Sequence, residues 1–381
     1  MEFELSPDQQ DAVAAARGFA ERYIAPNAFQ WERDRGFARD ILKAAGEAGL
    51  LGLMVPRDRG GRDIGLTGSA AVGEVLAGHD MAVAFAIKVH DNFVASLARN
   101  GSPEQIEAYF APMREGRMLG AFLLTEPGAG SDATAIATRA RRDGADWVID
   151  GEKAWITNGS TADLLNVFAQ TDPDRGWRGI ASFLIEASNP GVTRLPAYDM
   201  LGCHALGASG LRFEAVRVPE GAMFLPSEQA FKGAMTGINI ARVGVGAMCC
   251  GMIEASLKAA VAATKARPAF GQHVADFQGV QWMLADAATD LEAARLLTSR
   301  AARLFDAGAD ATVAAAHAKK FATRAALHHI AQAMQVMGAN GFRHDAGHPL
   351  ARHLAAAKMA QWLDGATEIQ NVVIARSLLR D

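Results

Sequence analysis

The sequence predicts an α+β protein that is mostly α. An N-terminal helical domain covers residues 1–118, a central β-barrel-like domain 119–227 and a C-terminal four-helix bundle 228–381. Three observations predict this. Apolar residues recur at helical spacing up to about residue 118. From Gly120 to about Pro226 the chain is richer in β-branched and turn residues. From about Ser227 an alanine-rich helical pattern returns in long segments. The 381 residues exceed what one hydrophobic core usually serves, so two or three domains are expected.

Each element has a local reason. Ser6-Pro7-Asp8-Gln9 opens a helix, with Ser as N-cap, Pro in the first turn and Gln three residues on. Residues 11–25 and 41–53 carry apolar positions at helical spacing, and Gly60-Gly61-Arg62 interrupts them. Helices resume over 69–77 and 81–100, and Ser102-Pro103-Glu104-Gln105 starts another. In the middle domain Asp143-Gly144 and Asp150-Gly151 read as hairpin turns around Trp147-Val148-Ile149. Segments 153–157, 181–185 and 211–218 read as further strands. Four helices then follow over 229–265, 275–307, 310–338 and 350–379, separated by Pro268, Gly308 and Gly341 with Pro349.

Bulk properties exclude several classes. The net charge of −4, with Lys and Arg scattered, gives no footprint for nucleic acid or an anionic membrane. Three cysteines, Cys203, Cys249 and Cys250, with no Cys-x-x-Cys spacing, fit a reducing compartment and neither a disulfide framework nor a zinc site. No apolar run is expected to be long enough to span a membrane, and no signal or transit segment is seen. A complete, cytoplasmic chain is therefore expected. There is no Gly-x-Gly-x-x-Gly after a strand and no Walker loop, which argues against Rossmann and P-loop folds. His328-His329, His344, His348 and His353 lack ligand spacing, so no metal is expected.

Two segments carry the chemistry. Leu124-Thr125-Glu126-Pro127-Gly128-Ala129-Gly130-Ser131-Asp132 is a glycine-rich turn with a hydroxyl at each end. Trp155-Ile156-Thr157-Asn158 sets an indole beside a hydroxyl on a strand. Glycines let backbone N–H groups approach a ligand closely, hydroxyls bond carbonyls or ring nitrogens, and an indole can cover an aromatic face. Alone, the turn reads as a turn, and a lone tryptophan is more often core.

Together the two segments resemble the flavin-binding middle domain of the acyl-CoA dehydrogenases. The resemblance runs along the whole chain. Arg267-Pro268-Ala269-Phe270-Gly271 is similar to the family's Arg-x-x-Phe-Gly, and Phe277-Gln278-Gly279-Val280-Gln281 to its Phe-Gln-x-x-Gln. Leu284-Ala285-Asp286 and Ala293-Ala294-Arg295 fit its next helix. Gln335-Val336-Met337-Gly338-Ala339-Asn340-Gly341-Phe342 resembles Gln-x-x-Gly-Gly-x-Gly-Tyr. Asp364-Gly365-Ala366-Thr367-Glu368-Ile369-Gln370 resembles Glu-Gly-Thr-x-x-Ile-Gln.

The resemblance implies FAD. Phe122, Leu124, Thr125, Gly130 and Ser131 would lie along the isoalloxazine and its ribityl chain, Trp155 would cover the ring, and Thr157 would bond near N5 and O4. Arg267, Phe270, Gln278, Gln335 and Gly338 would reach the pyrophosphate and adenosine of a neighbouring subunit's FAD, which implies a homotetramer, a dimer of dimers. Ala339 and Ala366 stand where relatives often carry Gly and a FAD-bonding Thr, and Thr367 or Glu368 would substitute for the latter. Singly, an arginine at a helix end is usually a solvated charge and a glutamine plain polar surface.

The implied reaction is α,β-desaturation of an acyl-CoA: a carboxylate takes the α-proton and the β-hydrogen leaves as hydride to flavin N5. In the family a ribityl hydroxyl and the backbone N–H of the base residue polarise the carbonyl. Asp364 stands at the usual Glu position, preceded by Leu363 where Tyr is frequent, and the family's other base position is Ala241. Asp is one methylene shorter, and a displacement of about 1 Å can cost about 100-fold unless the substrate compensates. That points to a short branched or alicyclic acyl group. Asp91, in Lys88-Val89-His90-Asp91-Asn92, is a second candidate base, because members acting on cyclohexane- or cyclohexene-carboxyl-CoA look similar in using Asp. The alternative is that Asp91 pairs with Lys88 or His90 on a polar helix face. Arg242 and Asn239 would hold CoA, with Ser131 and Gly365 also against the substrate. An electron-transfer flavoprotein is the implied acceptor. Three competing readings are a ring-diene-forming cyclohexene-carboxyl-CoA dehydrogenase using Asp91, a nitroalkane-oxidase-like flavoprotein, and a non-catalytic CoA-binding flavoprotein. Nitroalkane oxidases pair their Asp with an Arg two turns later, where this chain has Asn371.

Overall fold

The computed structural model describes residues 4–36 and 39–380. Helix α1 (Pro7–Phe19) begins on the reciprocal cap the sequence predicts: Ser6 accepts the Gln9 N–H, and the Gln9 side chain accepts the Ser6 N–H. A π-helical turn at Ala20–Ile24 leads to α2 (Ala28–Asp34) and α3 (Asp40–Glu47). The helical pattern expected to run to residue 53 stops at Glu47, since Gly49 and Gly52 take φ of 66° and 82°. Then come α4 (Gly65–His79), α5 (Met81–Asn100) and α6 (Pro103–Arg114), the last opened by a Ser102 capping box.

The middle of the chain forms one eight-stranded sheet. Its strands are β1 (Gly120–Leu123), β2 (Arg139–Asp143), β3 (Asp146–Ile156), β4 (Leu164–Gln170), β5 (Ile180–Glu186), β6 (Val192–Ala197), β7 (Ser209–Pro219) and β8 (Met223–Leu225). The order is β6-β7-β3-β2-β4-β5-β8, with β1 beside β4. Two arms, β6-β7-β3-β2 and β4-β5-β8, meet where Arg139 pairs Gln170. Asp143-Gly144 is a hairpin turn, with Asp143 opposite Asp146. Asp150-Gly151 is not. It lies inside β3 at a register shift against β7. A Cβ on Gly151 would stand 2.5 Å from the Thr138 hydroxyl, so glycine here permits close backbone approach and not a chain reversal.

The C-terminal part contains α7 (Ala230–Ala266), a small hairpin of β9 (Pro268–Ala269) and β10 (Gln272–His273), α8 (Gln278–Asp306) and α9 (Thr312–Met337). The fourth expected helix is two helices, α10 (Leu350–Ala360) and α11 (Thr367–Leu378). Left-handed Asp364 and Gly365, with φ of 51° and 95°, break it. That break carries the candidate base. Arg295 of α8 joins Glu74 of α4 at 2.6 Å and Glu254 of α7 at 2.7 Å, tying the N-terminal helices to the bundle.

The membrane reading needs one correction. α5 and α7 are each long and apolar enough to cross a bilayer by length and composition. Their most apolar stretches are 83% and 61% buried in the protein. Neighbouring helices and strands already cover the surface that lipid would take.

Candidate active site

The glycine-rich turn is fixed to β3 from beneath. Ala154 N–H donates to Thr125 O at 3.0 Å. Lys153, fully buried, donates from Nζ to Leu124 O at 3.1 Å and to Glu126 Oε1 at 2.7 Å. Glu126 also accepts the N–H groups of Ala137 and Thr138, at 2.6 and 3.0 Å. Burial lowers the Lys153 ammonium to about 8 against the pull of Glu126. Burial opposes ionisation of Glu126 too, but Lys153 and the hydrogen bonds outweigh it and hold the carboxyl below its usual range. The two flavin-motif segments thus meet through this ion pair. Neither Lys153 nor Glu126 stood out in the sequence as a site residue.

Above this brace the surface is open. Trp155 sits at a bulge in β3 with φ 59°. The residue is 61% exposed, and its indole stacks on Tyr198, with ring centroids 4.2 Å apart. Gly130 and Ser131 are exposed, and no atom lies within 4 Å of where a Cβ on Gly128 or Gly130 would be. Thr125 and Thr157 are half-buried, Phe122 packs its ring on Phe168, and Leu124 is buried. A bare indole beside open backbone and two hydroxyls fits a flat, polar-edged ring system such as a flavin.

A second group lies on the bundle. A Cβ on Gly338, whose φ is 63°, would stand 2.9 Å from an Arg267 guanidinium nitrogen, so these two motifs meet. Arg267, Gln278 and Gln335 are exposed. Phe270, left-handed at φ 52°, is 96% exposed with Phe277 edge-on beside it. An aromatic so exposed, next to a cation and two amides, suits a surface completed by another group.

The base turn is built from three helices. Arg242 of α7 donates from Nε to Asp364 O at 3.0 Å and from Nη1 to Asn239 Oδ1 at 2.9 Å. A Cβ on Gly365 would meet Arg242 Nη2 at 3.1 Å, so this glycine allows the guanidinium to close on the turn. Gln370 of α11 donates to Gly365 O at 2.9 Å. Thr367 donates its backbone N–H to Gln361 O at 3.1 Å, while Glu368 is exposed. Asp364 Oδ2 is buried without a hydrogen-bond partner. Burial pushes the Asp364 carboxyl up to about 6, against the opposing charges of Lys319 and Arg242. Among the described residues, no hydrogen bond takes up the Asp364 N–H.

Two expected site residues have their polar atoms engaged within the protein. Arg242, expected as a CoA handle, is 7% exposed, and its Nε and Nη1 bond Asp364 and Asn239. Asn239 in turn donates to Thr312 at 3.1 Å. Arg242 thus reaches the base turn, and Asn239 supports it from the next helical turn of α7. Asp91, the second candidate base, is fully buried and saturated: it accepts Gly52 N–H at 2.7 Å, Leu53 N–H at 3.1 Å and Lys88 Nζ at 2.7 Å. Its neighbour His90 is buried as well, accepting Gly120 N–H and bonding Met113 O. A carboxylate with three donors holds loop 49–55 against α5 and has no free oxygen aimed at a substrate. Replacing Asp91 with Asn should cost about 2–3 kcal/mol of stability in urea denaturation, because Lys88 loses its charged acceptor. The rate of flavin reduction per folded molecule should change less than about twofold, for lack of the contact a catalytic effect requires. Among the described residues, no three His, Cys, Asp or Glu side chains gather as metal ligands.

The chain is similar to known proteins along nearly its whole length. Residues 6–117, 121–216 and 230–379 match the family models of the acyl-CoA dehydrogenase N-terminal, middle and C-terminal domains. The mitochondrial short-chain specific acyl-CoA dehydrogenase of Bos taurus is 36% identical over 378 residues, covering 99% of this chain and 91% of the relative. The structure of butyryl-CoA dehydrogenase from Megasphaera elsdenii superposes with a TM-score of 0.96 at 33% identity, covering both chains completely. A chain from a structure described as the electron transferring flavoprotein of Acidaminococcus fermentans also gives a TM-score of 0.96, at 35% identity and full coverage of both.

Proposed function

Because this chain belongs to the acyl-CoA dehydrogenase family, we propose that it desaturates a short acyl-CoA at the α,β bond with FAD as oxidant and Asp364 as the base. The carrying observation is the buried, unpartnered Asp364 Oδ2 on a rigid left-handed turn, with its carboxyl raised to about 6. Such a group is ionised at neutral pH yet basic enough to take a proton beside a thioester carbonyl. The free Asp364 N–H is a suitable donor to that carbonyl oxygen as negative charge develops on it. Phe122, Leu124, Thr125, Gly130, Ser131, Trp155 and Thr157 would hold the flavin end of FAD, on the platform braced by Lys153 and Glu126. Bound FAD supplies the acceptor for the β-hydride. Ser131, Gly365, Asn239 and Arg242, whose Nη2 is not used by Asp364 or Asn239, remain candidates for holding the acyl-CoA.

Arg267, Phe270, Gln278, Gln335 and Gly338 would cover the adenosine part of a neighbouring subunit's FAD in a cytoplasmic homotetramer. The exposure of Arg267, Phe270, Gln278 and Gln335 on one chain supports that reading. Electrons would leave to an electron-transfer flavoprotein, as the likeness to the Acidaminococcus structure supports.

Short substrates are favoured by the short-chain and butyryl relatives. The shorter base favours, among these, acyl groups whose bulk brings the α-carbon forward, branched or alicyclic ones included. The test is anaerobic bleaching of the flavin by butyryl-, isobutyryl- and cyclohexanecarboxyl-CoA, with the wild type and with Asp364→Glu. Asp364→Glu should shift preference towards butyryl-CoA by about 10–100-fold, the scale of a 1 Å displacement. Absence of bleaching by any acyl-CoA overturns the activity. An unchanged preference overturns the role of the short base in substrate choice.

A further inference from the structure

Lys319 lies in the N-terminal third of α9 and is fully buried. Its ammonium forms two hydrogen bonds, to Gln361 O at 3.3 Å and to Gly365 O at 2.8 Å. These carbonyls bracket Asp364, one three residues before it and the other directly after it. Gln361 O is also the acceptor for the Thr367 N–H that starts α11. One buried cation therefore joins the end of α10 to the turn, at the point where the backbone leaves helical space.

Such a placement is costly. A buried ammonium loses its hydration and regains it here only from carbonyl oxygens and nearby charge. The charged or titratable groups around it are Asp364, Cys249, Arg242 and Glu368. Burial lowers the Lys319 ammonium to about 8, with Asp364 the first group opposing that shift. It is still a cation at neutral pH. A methionine or leucine would fill the same volume without the desolvation cost, yet could not fix two carbonyls whose separation defines the turn.

We propose that Lys319 is a positioning residue for the base: its ammonium clamps the backbone on both sides of Asp364 and so sets the reach and direction of the carboxylate towards the substrate. The inference rests on the reading of Asp364 as the base. The clamp is distinct from the Arg242 contact, which holds the carbonyl of Asp364 itself. Arg242 and Lys319 approach the turn from different helices, α7 and α9, so the turn is held at three carbonyls, those of Gln361, Asp364 and Gly365.

The test uses FAD-loaded protein carrying Lys319→Met, Lys319→Gln or Lys319→Arg. Anaerobic stopped flow with butyryl-CoA gives the limiting rate of flavin reduction and the dissociation constant at each pH. Lys319→Met should lower the limiting rate by about 10–100-fold, as a base misplaced by about 1 Å would. The acid limb of the rate profile should move to higher pH, because a positive charge that favours ionised Asp364 is gone. FAD content and the dissociation constant should stay within about threefold of wild type. Lys319→Arg, which keeps the charge and several donors, should restore more of the rate than Lys319→Gln. Wild-type rates and an unmoved acid limb in folded Lys319→Met overturn the proposal. So does a set in which all three variants lose FAD or fail to fold, which would make the ammonium a general scaffold element. Asp364→Asn separates the two readings. If that variant keeps full activity, the assignment of the base fails. If it is inactive while the Lys319 variants match wild type, only the clamp fails.

Discussion

Asp364→Asn should retain FAD and bind acyl-CoA, yet lose about 10²–10⁴ in the rate of flavin reduction, the usual contribution of a positioned general base. The substitution is nearly isosteric. The backbone contacts from Arg242 and Lys319 flank the side chain and survive it. What disappears is the one group at the turn that can accept a proton. The wild-type rate should fall as pH drops through about 6, where the raised carboxyl becomes protonated, and should level off above that. The same shift has a stability consequence of opposite sense. Between the ordinary carboxylate range and about pH 6, the folded state holds a proton that the unfolded state has released. Stability from this group is therefore fully present below that range, falls as pH rises to about 6, and is constant above. Rate and stability titrating in opposite directions around one pH would identify Asp364. An Asp364→Asn protein with wild-type rate would remove it from the chemistry.

Lys153→Met should lower stability by about 3–5 kcal/mol, the cost of stripping one partner from a buried ion pair. Glu126 would keep its two backbone donors but lose the charge that offsets its burial. The carbonyl of Leu124 would lose a charged donor at the same time. Because this pair joins the glycine-rich turn to β3, flavin content should fall with stability. Urea denaturation and the visible spectrum of the purified protein measure both. Lys153→Met combined with Glu126→Gln should recover part of the loss, since the second change removes the uncompensated charge. A single variant with wild-type stability and full flavin would show that the turn holds without its brace.

Much of the molecule was legible before folding because the relevant signals are local. The caps at Ser6 and Ser102 depend on residues three apart, and both form. The Asp143-Gly144 hairpin is decided by two residues. Asp150-Gly151 carried the same signal without forming a turn, because what the glycine answers to is Thr138, just before the neighbouring strand β2. The fourth bundle helix failed as well: apolar spacing continues through residues 360–367, while left-handed Asp364 breaks the helix. Lys319 leaves a trace in the helical periodicity of α9. Ala315, Ala322, Ala326 and Ile330 line one buried face of α9, and Lys319 falls on that face. A cation in an alanine stripe signals a buried partner but does not name it.

The sequence by itself determined the helix–sheet–helix order, the family motifs and the presence of an Asp where a base is expected, since periodicity, caps and contiguous motifs involve only near neighbours in the chain. Tertiary structure alone decided which carboxylate is free. Asp91 and Asp364 are equivalent letters in the chain. Folding surrounds the first with Lys88 and two backbone donors and leaves an oxygen of the second buried and unpartnered. The acidity and availability of a carboxyl group depend on the water it loses and the donors it gains, and those are supplied by segments distant in sequence.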